Sequence, residues 1–256
     1  MRRCRTAAVA TLLALVITAC QPGTAREPSK DAGRASGNLE DLARTATDRK
    51  LRAGFLIVDG VYNTELTAPY DVLEHTLYHV PEDRGIEVFT VSPQGEPVTT
   101  AEGLRISADH SFESAPAIDI LVVPSAEGSR DSDLEDTELI RWVADRGAGA
   151  GAIMSLCWGA FVLAEAGLLD RAACTTFPKD YRMFSERFPE LDLRINVSFV
   201  HSGRAVTSQG GARSFDAAMY LVDALYGTDV ATRIGSGLLI PWPPDDGALA
   251  YLSSTE

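Results

Sequence analysis

The feature that most narrows the fold is an alternation: from about Ala53 onward, short apolar runs alternate with longer amphipathic ones. Ala53–Val58 reads as a strand closed by the turn pair Asp59-Gly60. A helix is expected over Thr67–Val80, with Thr67 as cap, Pro69 in the first turn, and Tyr70, Leu73, Leu77 and Val80 on one face. Ile86–Val91 reads as a second strand, Val98–Ile106 as a hairpin broken at Glu102-Gly103, and Ile118–Val123 as an apolar strand stopped by Pro124. Thr137–Asp145 is helical, Gly151–Ser155 strand-like, and Trp158–Ala166 apolar nearly all round, as a buried helix is. Further on come a helix at Lys179–Arg187, a β-ribbon near Ile195–Ser208 and a helix at Arg213–Tyr226 with Phe215, Met219, Val222 and Tyr226 on one face. A short edge helix is expected after Gly227, and a loose tail after Pro241. Strands alternating with helices specify an α/β fold with a largely parallel central sheet. At 256 residues and 45% hydrophobic, the chain can bury one sizeable core, and no internal repeat divides it.

The first twenty residues carry a different message. Arg2, Arg3 and Arg5 precede an uncharged run from Ala7 to Ala19, the pattern of a cleaved export signal over 1–19. Ile17-Thr18-Ala19-Cys20 is similar to the bacterial lipobox, which makes Cys20 the expected lipidation site. Cleavage would remove three arginines and no acid, taking the formal charge from −13 to −16. An acidic body gains little from anionic lipid, so acyl chains would have to supply the membrane affinity. The expected location is the cell envelope, facing the periplasm, with the outer membrane favoured over the inner because Gln21, not Asp, follows Cys20. Residues 21–38 are rich in Pro, Gly and Ser and read as a tether. Leu39–Arg49 reads as a short surface helix, so the tether region spans 20–50, the folded domain 51–240 and the tail 241–256. The negative charge argues against nucleic acid as a partner.

Chemistry is concentrated in Ala152-Ile-Met-Ser-Leu-Cys157-Trp158-Gly159. An apolar strand runs into a Cys, a Gly follows two residues later, and a buried helix begins: the layout of a nucleophile elbow. The helix N-terminus is expected to lower the thiol pKa. On this stretch alone an inert buried cysteine is the competing reading. His75 and His79, four apart, could share a helix face, but no third ligand accompanies them; neither a metal nor a cofactor is expected. Cys174 lies 17 residues after Cys157, and an oxidising compartment would permit pairing if the geometry did.

Phe55-Leu-Ile-Val-Asp-Gly60, Glu65-Leu-Thr-Ala-Pro-Tyr-Asp71, Asp119-Ile-Leu-Val-Val-Pro124, the Cys157 elbow continuing to Leu163-Ala-Glu-Ala-Gly-Leu-Leu-Asp170, and Val206-Thr-Ser-Gln-Gly210 with Asp216 occur in order. Together they resemble the DJ-1/PfpI superfamily, in the branch of isocyanide hydratases and the amidotransferase-like domains of AraC-type regulators. The resemblance covers roughly residues 53–240. It implies a flavodoxin-like sandwich, a nucleophile at Cys157, an acidic partner at Glu65 and an oxyanion or pocket set drawn from Ser125, Ala126, Trp158 and Gly210. An ionised Glu65 would raise the thiol pKa, whereas a protonated one donating a hydrogen bond would favour thiolate; the resemblance implies the second. Three positions depart from the pattern: Trp158 replaces the hydratases' Thr, Ser125-Ala126 replaces a frequent Gly-Gly, and Phe177 replaces a frequent His. His110 and His201 match no catalytic position of the family. Two functions follow as expectations. One is an enzyme in which Cys157 attacks a small electrophilic carbon; the other is a ligand-binding or redox-sensing module on a membrane anchor. Relatives of this fold commonly dimerise, so a homodimer is a possible partner arrangement.

Overall fold

The computed structural model describes residues 39–170, 172–244 and the backbone of 250–252. The expected signal, Cys20 and the 21–38 tether lie outside the described residues. No helix among those described is long and apolar enough to cross a membrane.

The chain runs α1 (Leu39–Asp48), β1 (Leu51–Leu56), α2 (Asn63–Glu74), β2 (Ile86–Ser92), β3 (His110–Ser111), β4 (Ile120–Val123), α3 (Thr137–Gly149), β5 (Ala152–Leu156), α4 (Gly159–Glu165), α5 (Tyr181–Arg187), β6 (Phe199–Ser202), β7 (Ala205–Ser208), α6 (Arg213–Tyr226), α7 (Thr228–Leu238) and β8 (Ala250–Leu252). The strands form one eight-stranded sheet in the order β8-β6-β7-β5-β4-β1-β2-β3. Every neighbouring pair is parallel except the β6–β7 ribbon. The hairpin expected over Val98–Ile106 forms as a separate antiparallel pair, Val98–Thr99 with Arg105–Ile106.

Both faces of the sheet are covered, which is why its strands read as continuous apolar runs rather than alternating ones. Along β4, Ile120 and Val122 point into one cluster and Leu121 and Val123 into the other; along β5, Ala152, Met154 and Leu156 oppose Ile153. The first cluster is closed by α1, α2, α6 and α7, the second by α3, α4 and the Phe184–Phe188 side of α5. This is the three-layer α/β/α sandwich. The parallel strands β1, β4, β5 and β7 all end at one edge, and open α/β sheets bind ligands outside such carboxyl ends.

Three elements differ from the sequence reading. Helix α2 starts at Asn63 rather than Thr67 and gives way to a 3-10 turn at His75–Tyr78. Its start is fixed from afar: Glu102 Oε2 accepts the Asn63 N–H at 3.0 Å, and the Ser125 carbonyl accepts the Tyr62 N–H at 3.0 Å. Thr67 is no cap; its hydroxyl donates to the Asn63 carbonyl inside the helix. The change of helical pitch at His75 also removes the regular four-residue spacing that would have aligned His75 with His79. Next, α1 is neither tether nor surface decoration. Leu39, Leu42 and Ala46 are buried in the core, and Arg49 just beyond holds Asp119 through two bonds of 2.8 and 2.7 Å. Finally, the described parts of the segment after Pro241 are tied to the body: β8 pairs with β6, and the Trp242 indole donates to Asp223 at 2.7 Å.

The packing of α1 is testable. Leu42→Ala should lower the unfolding free energy by about 2–5 kcal/mol in a urea titration, the range for truncating a buried leucine. A loss below about 0.5 kcal/mol, usual for a surface change, contradicts it.

Candidate active site

Cys157 follows β5 directly and adopts a left-handed backbone, φ +56°. A side chain in this region costs on the order of 1 kcal/mol and persists only where its surroundings enforce it. Four contacts do so. The Cys157 N–H donates to the Ser208 carbonyl of β7 at 2.9 Å, and its own carbonyl accepts the Thr176 hydroxyl at 2.9 Å. Gly210 and Gly159 permit the rest. A Cβ on Gly210 would lie 2.3 Å from the Cys157 Cβ, and one on Gly159 would lie 2.0 Å from the Val123 carbonyl oxygen. The chain thus crosses itself at two points where only glycine fits.

Glu65 sits in the first turn of α2, 9% exposed, and its Oε1 accepts the Gly211 N–H at 2.9 Å. The residues implied as nucleophile and acidic partner therefore converge from α2 and β5. Their electrostatics run against the expectation of a thiol activated by the helix N-terminus. The Cys157 thiol is pushed up to about 12, chiefly by burial, with the charges of Glu65 and Asp180 adding to it. The Ser125 hydroxyl and the Trp158 N–H oppose the rise without cancelling it. Helix α4 has two turns, and desolvation of a thiol 5% exposed outweighs what so short a dipole offers. Cys157 rests as a neutral thiol.

The oxyanion set needs a second correction. The Ala126 N–H is already taken by Ser129 Oγ at 2.9 Å, and that hydroxyl donates a hydrogen bond to Asp133 Oδ2 at 3.2 Å. The Gly210 N–H is occupied by Ser208 Oγ at 3.2 Å. The Trp158 N–H does face the sulfur, while Ser125 is fully buried with its side chain beside the thiol.

Trp158 builds a wall that was not visible in the sequence. Its indole N–H donates to Asp180 Oδ2 at 2.7 Å, and the other oxygen of that carboxylate pairs with Arg130 Nη1 at 3.1 Å. The Arg130 guanidinium carbon lies 3.9 Å over the indole ring, while Tyr62 and Phe177 meet it edge-on at 5.6 and 6.1 Å. The Tyr62 phenol is pushed up by burial and by the acidic groups Glu127, Cys157 and Glu102, so it remains a donor at neutral pH. The one available signal for Asp180 was the rule that a buried indole N–H needs an acceptor; nothing in the sequence said which.

The remaining expected positions fall elsewhere. Cys174 is a free buried thiol, as is Cys157. Burial and Asp192 push the Cys174 thiol up to about 12. His201 bridges the Tyr220 hydroxyl and the Gly203 carbonyl at 2.8 Å each, and His110 packs edge-on against Phe89. No cluster of three or more metal-ligating side chains occurs among the described residues.

A doubly covered parallel sheet with a strained Cys elbow and an acid from the first strand–helix junction defines a class of α/β proteins. The DJ-1/PfpI family model matches residues 51–224, and the chain belongs to that family. Isonitrile hydratase of Pseudomonas putida is 30% identical over 198 residues, covering 77% of this chain and 82% of that protein. The HTH-type transcriptional regulator GbdR of Pseudomonas aeruginosa is 27% identical over 185 residues, 71% of this chain but only 48% of the regulator, so the chain spans about half of it. A THiJ/PfpI family protein from Pseudomonas syringae shares the fold with a TM-score of 0.66 at 23% identity, covering 77% of this chain and 76% of that one. The matched segment begins at residue 51, after α1.

The crossing at the elbow gives a prediction with an internal control. Gly210→Ala combines φ +86° with a collision against Cys157 and should cost about 3 kcal/mol or more. Gly103→Ala has φ +92° but open space, and should cost only the backbone strain of about 1 kcal/mol. Equal losses in parallel thermal melts would contradict the close packing at Cys157.

Proposed function

We propose that the chain is a cysteine-dependent hydratase of small electrophilic carbon compounds, with isonitriles as the reference substrate class. It would act at the cell envelope as a lipoprotein, with the folded domain from α1 onward as the catalytic body. The observation that carries the reading is a neutral buried thiol held beside the Glu65 carboxylate. With its pKa pushed up to about 12, the Cys157 thiol is protonated at pH 7. That suits an addition in which the substrate carbon needs both a proton and a nucleophile, and S–H supplies both.

In the proposed step Glu65 takes the thiol proton and delivers it to the terminal isonitrile carbon, while Cys157 Sγ bonds to that same carbon. The product is a thioimidate, R–N=CH–S–Cys157. Water then adds across C=N, its hydroxyl to carbon and its proton to nitrogen. The tetrahedral adduct collapses by expelling sulfur, which recovers the hydroxyl proton and leaves R–NH–CHO. The sum is isonitrile plus water giving a formamide, with thiol and carboxyl restored. The Trp158 N–H faces the sulfur as its charge rises and falls.

A second reading, ligand binding or thiol sensing without turnover, is favoured by the Arg130–Trp158–Asp180 wall and the occupied Ala126 N–H. Trp158→Thr separates the two. A hydratase whose pocket the indole narrows gains turnover on bulkier isonitriles, whereas a pure binding module gains none.

Glu65→Gln yields an opposed pair of effects. Removing the carboxylate charge lowers the thiol pKa, so alkylation of Cys157 by iodoacetamide at pH 8 should accelerate. Formamide production should fall by about 10²–10⁴, the usual worth of a general acid–base. In the native chain the alkylation rate should climb about tenfold per pH unit from 7 to 10, as expected far below a thiol's pKa. A plateau near neutrality, or a fall in both rates for Glu65→Gln, contradicts the proposal.

A further inference from the structure

We propose that Ser208 is, through its side-chain hydroxyl, a positioning residue for Glu65. It braces the Gly210-Gly211 turn so that the Gly211 N–H holds one carboxylate oxygen and leaves the other for the Cys157 proton. The inference rests on the reading of Glu65 as the proton carrier, and it names the residue that keeps that carboxylate in place.

Ser208 ends β7 and is completely buried. Its main chain and its side chain hold different partners. The carbonyl accepts the Cys157 N–H at 2.9 Å and so serves the elbow. The hydroxyl serves the turn that follows. Its Oγ accepts the Gly210 N–H at 3.2 Å and donates to the Arg213 carbonyl at 3.0 Å, with the Ser198 carbonyl a little farther at 3.3 Å. One side chain thus ties the start of the turn to the first residue of α6. The segment needs such a tie, because Gly210 and Gly211 are both left-handed, φ +86° and +54°, and glycine resists rotation less than any other residue. Gly210 is buried, so without Ser208 its N–H has no water to turn to. The next N–H, that of Gly211, reaches across to α2 and donates to Glu65 Oε1 at 2.9 Å. Glu65 Oε2 accepts no hydrogen bond among the described residues and is the oxygen left for the proton. Gly210 itself packs against the elbow, where a Cβ would lie 3.0 Å from the Cys157 Cα. The turn therefore touches nucleophile and acid at adjacent residues, and the Ser208 hydroxyl fixes it.

The test uses the full chain and reads amide hydrogen exchange by NMR beside formamide production from a small isonitrile. In the native chain the Gly210 and Gly211 amides should exchange at least about a hundredfold more slowly than an unstructured glycine. Free exchange of either overturns the proposal without any variant. In Ser208→Ala the Gly211 amide should exchange about tenfold faster relative to the Met154 amide in the middle of β5, the worth of one net hydrogen bond. Glu65→Ala should raise the same ratio, since it removes the acceptor. Leu42→Ala controls for lost stability: Leu42 packs on Gly151, at the far end of β5 from Cys157, and its truncation should leave the ratio near the native value. In Ser208→Ala kcat should fall about ten- to a hundredfold with KM within about threefold, the cost of a slightly misplaced group. Added to Glu65→Gln, the same change should slow turnover less than about threefold further, because the group it positions is already gone. An unchanged Gly211 ratio in Ser208→Ala, or a loss that multiplies in the double variant, overturns the proposal. If the native chain makes no formamide, the hydratase reading fails by itself. The exchange ratio then decides alone whether Ser208 holds Gly211 on Glu65.

Discussion

The left-handed backbone at Cys157 is the constraint on which the site depends. It turns the chain out of β5 within one residue and brings the thiol to the edge where β1, β4, β5 and β7 end. The geometry requires Gly159 under the Val123 carbonyl, Gly210 against the Cys157 Cβ, and a Ser208 carbonyl and Thr176 hydroxyl to hold the peptide groups on either side. Each clamp comes from a different strand or loop. The thiol's position is therefore a property of the whole sheet, and the strain is met by packing that the two hydrophobic layers already provide.

Burial then decides the chemistry. A thiol on a helix N-terminus is commonly read as a thiolate, but here desolvation and two carboxylates outweigh one hydroxyl and one backbone amide. Burial keeps the sulfur protonated, the Glu65 charge adds to that effect, and in the proposed reaction the same carboxylate carries the proton. Such a site is poorly suited to reagents that need a free thiolate and well suited to substrates that consume S–H as a unit. Asp180, Arg130, Tyr62 and Phe177 fix the Trp158 indole by a hydrogen bond, a stacked cation and two aromatic edges, so it stands as a fixed surface next to the elbow.

Much of this was legible in the sequence because period and punctuation are local. The strand starts and ends fell within a few residues, and Arg213–Tyr226 was read with its observed bounds. The strand–Cys–x–Gly layout marked the elbow, since few other arrangements need Gly two residues after a buried Cys. What escaped depends on distant partners. The start of α2 rests on Glu102, 39 residues ahead of Asn63, and the burial of α1 rests on helix α6 at the other end of the chain. The occupied Ala126 N–H depends on a side chain three residues on, Ser129, whose role no periodicity reveals. The thiol's charge state was misjudged for a related reason: a dipole is visible from helix order, whereas desolvation is visible only when the layers close.

The central claim is that Cys157 adds as a thiol to an electrophilic carbon with Glu65 handling the proton. Its most direct measurement is peptide mass spectrometry of the native chain quenched during exposure to a small isonitrile, beside Glu65→Gln and Cys157→Ala. The account predicts an adduct of the full substrate mass on the native Cys157 peptide, a much slower rise of that adduct in Glu65→Gln, and neither adduct nor formamide in Cys157→Ala. Formamide produced at an undiminished rate by Cys157→Ala, or no adduct and no turnover from the native chain, would contradict it.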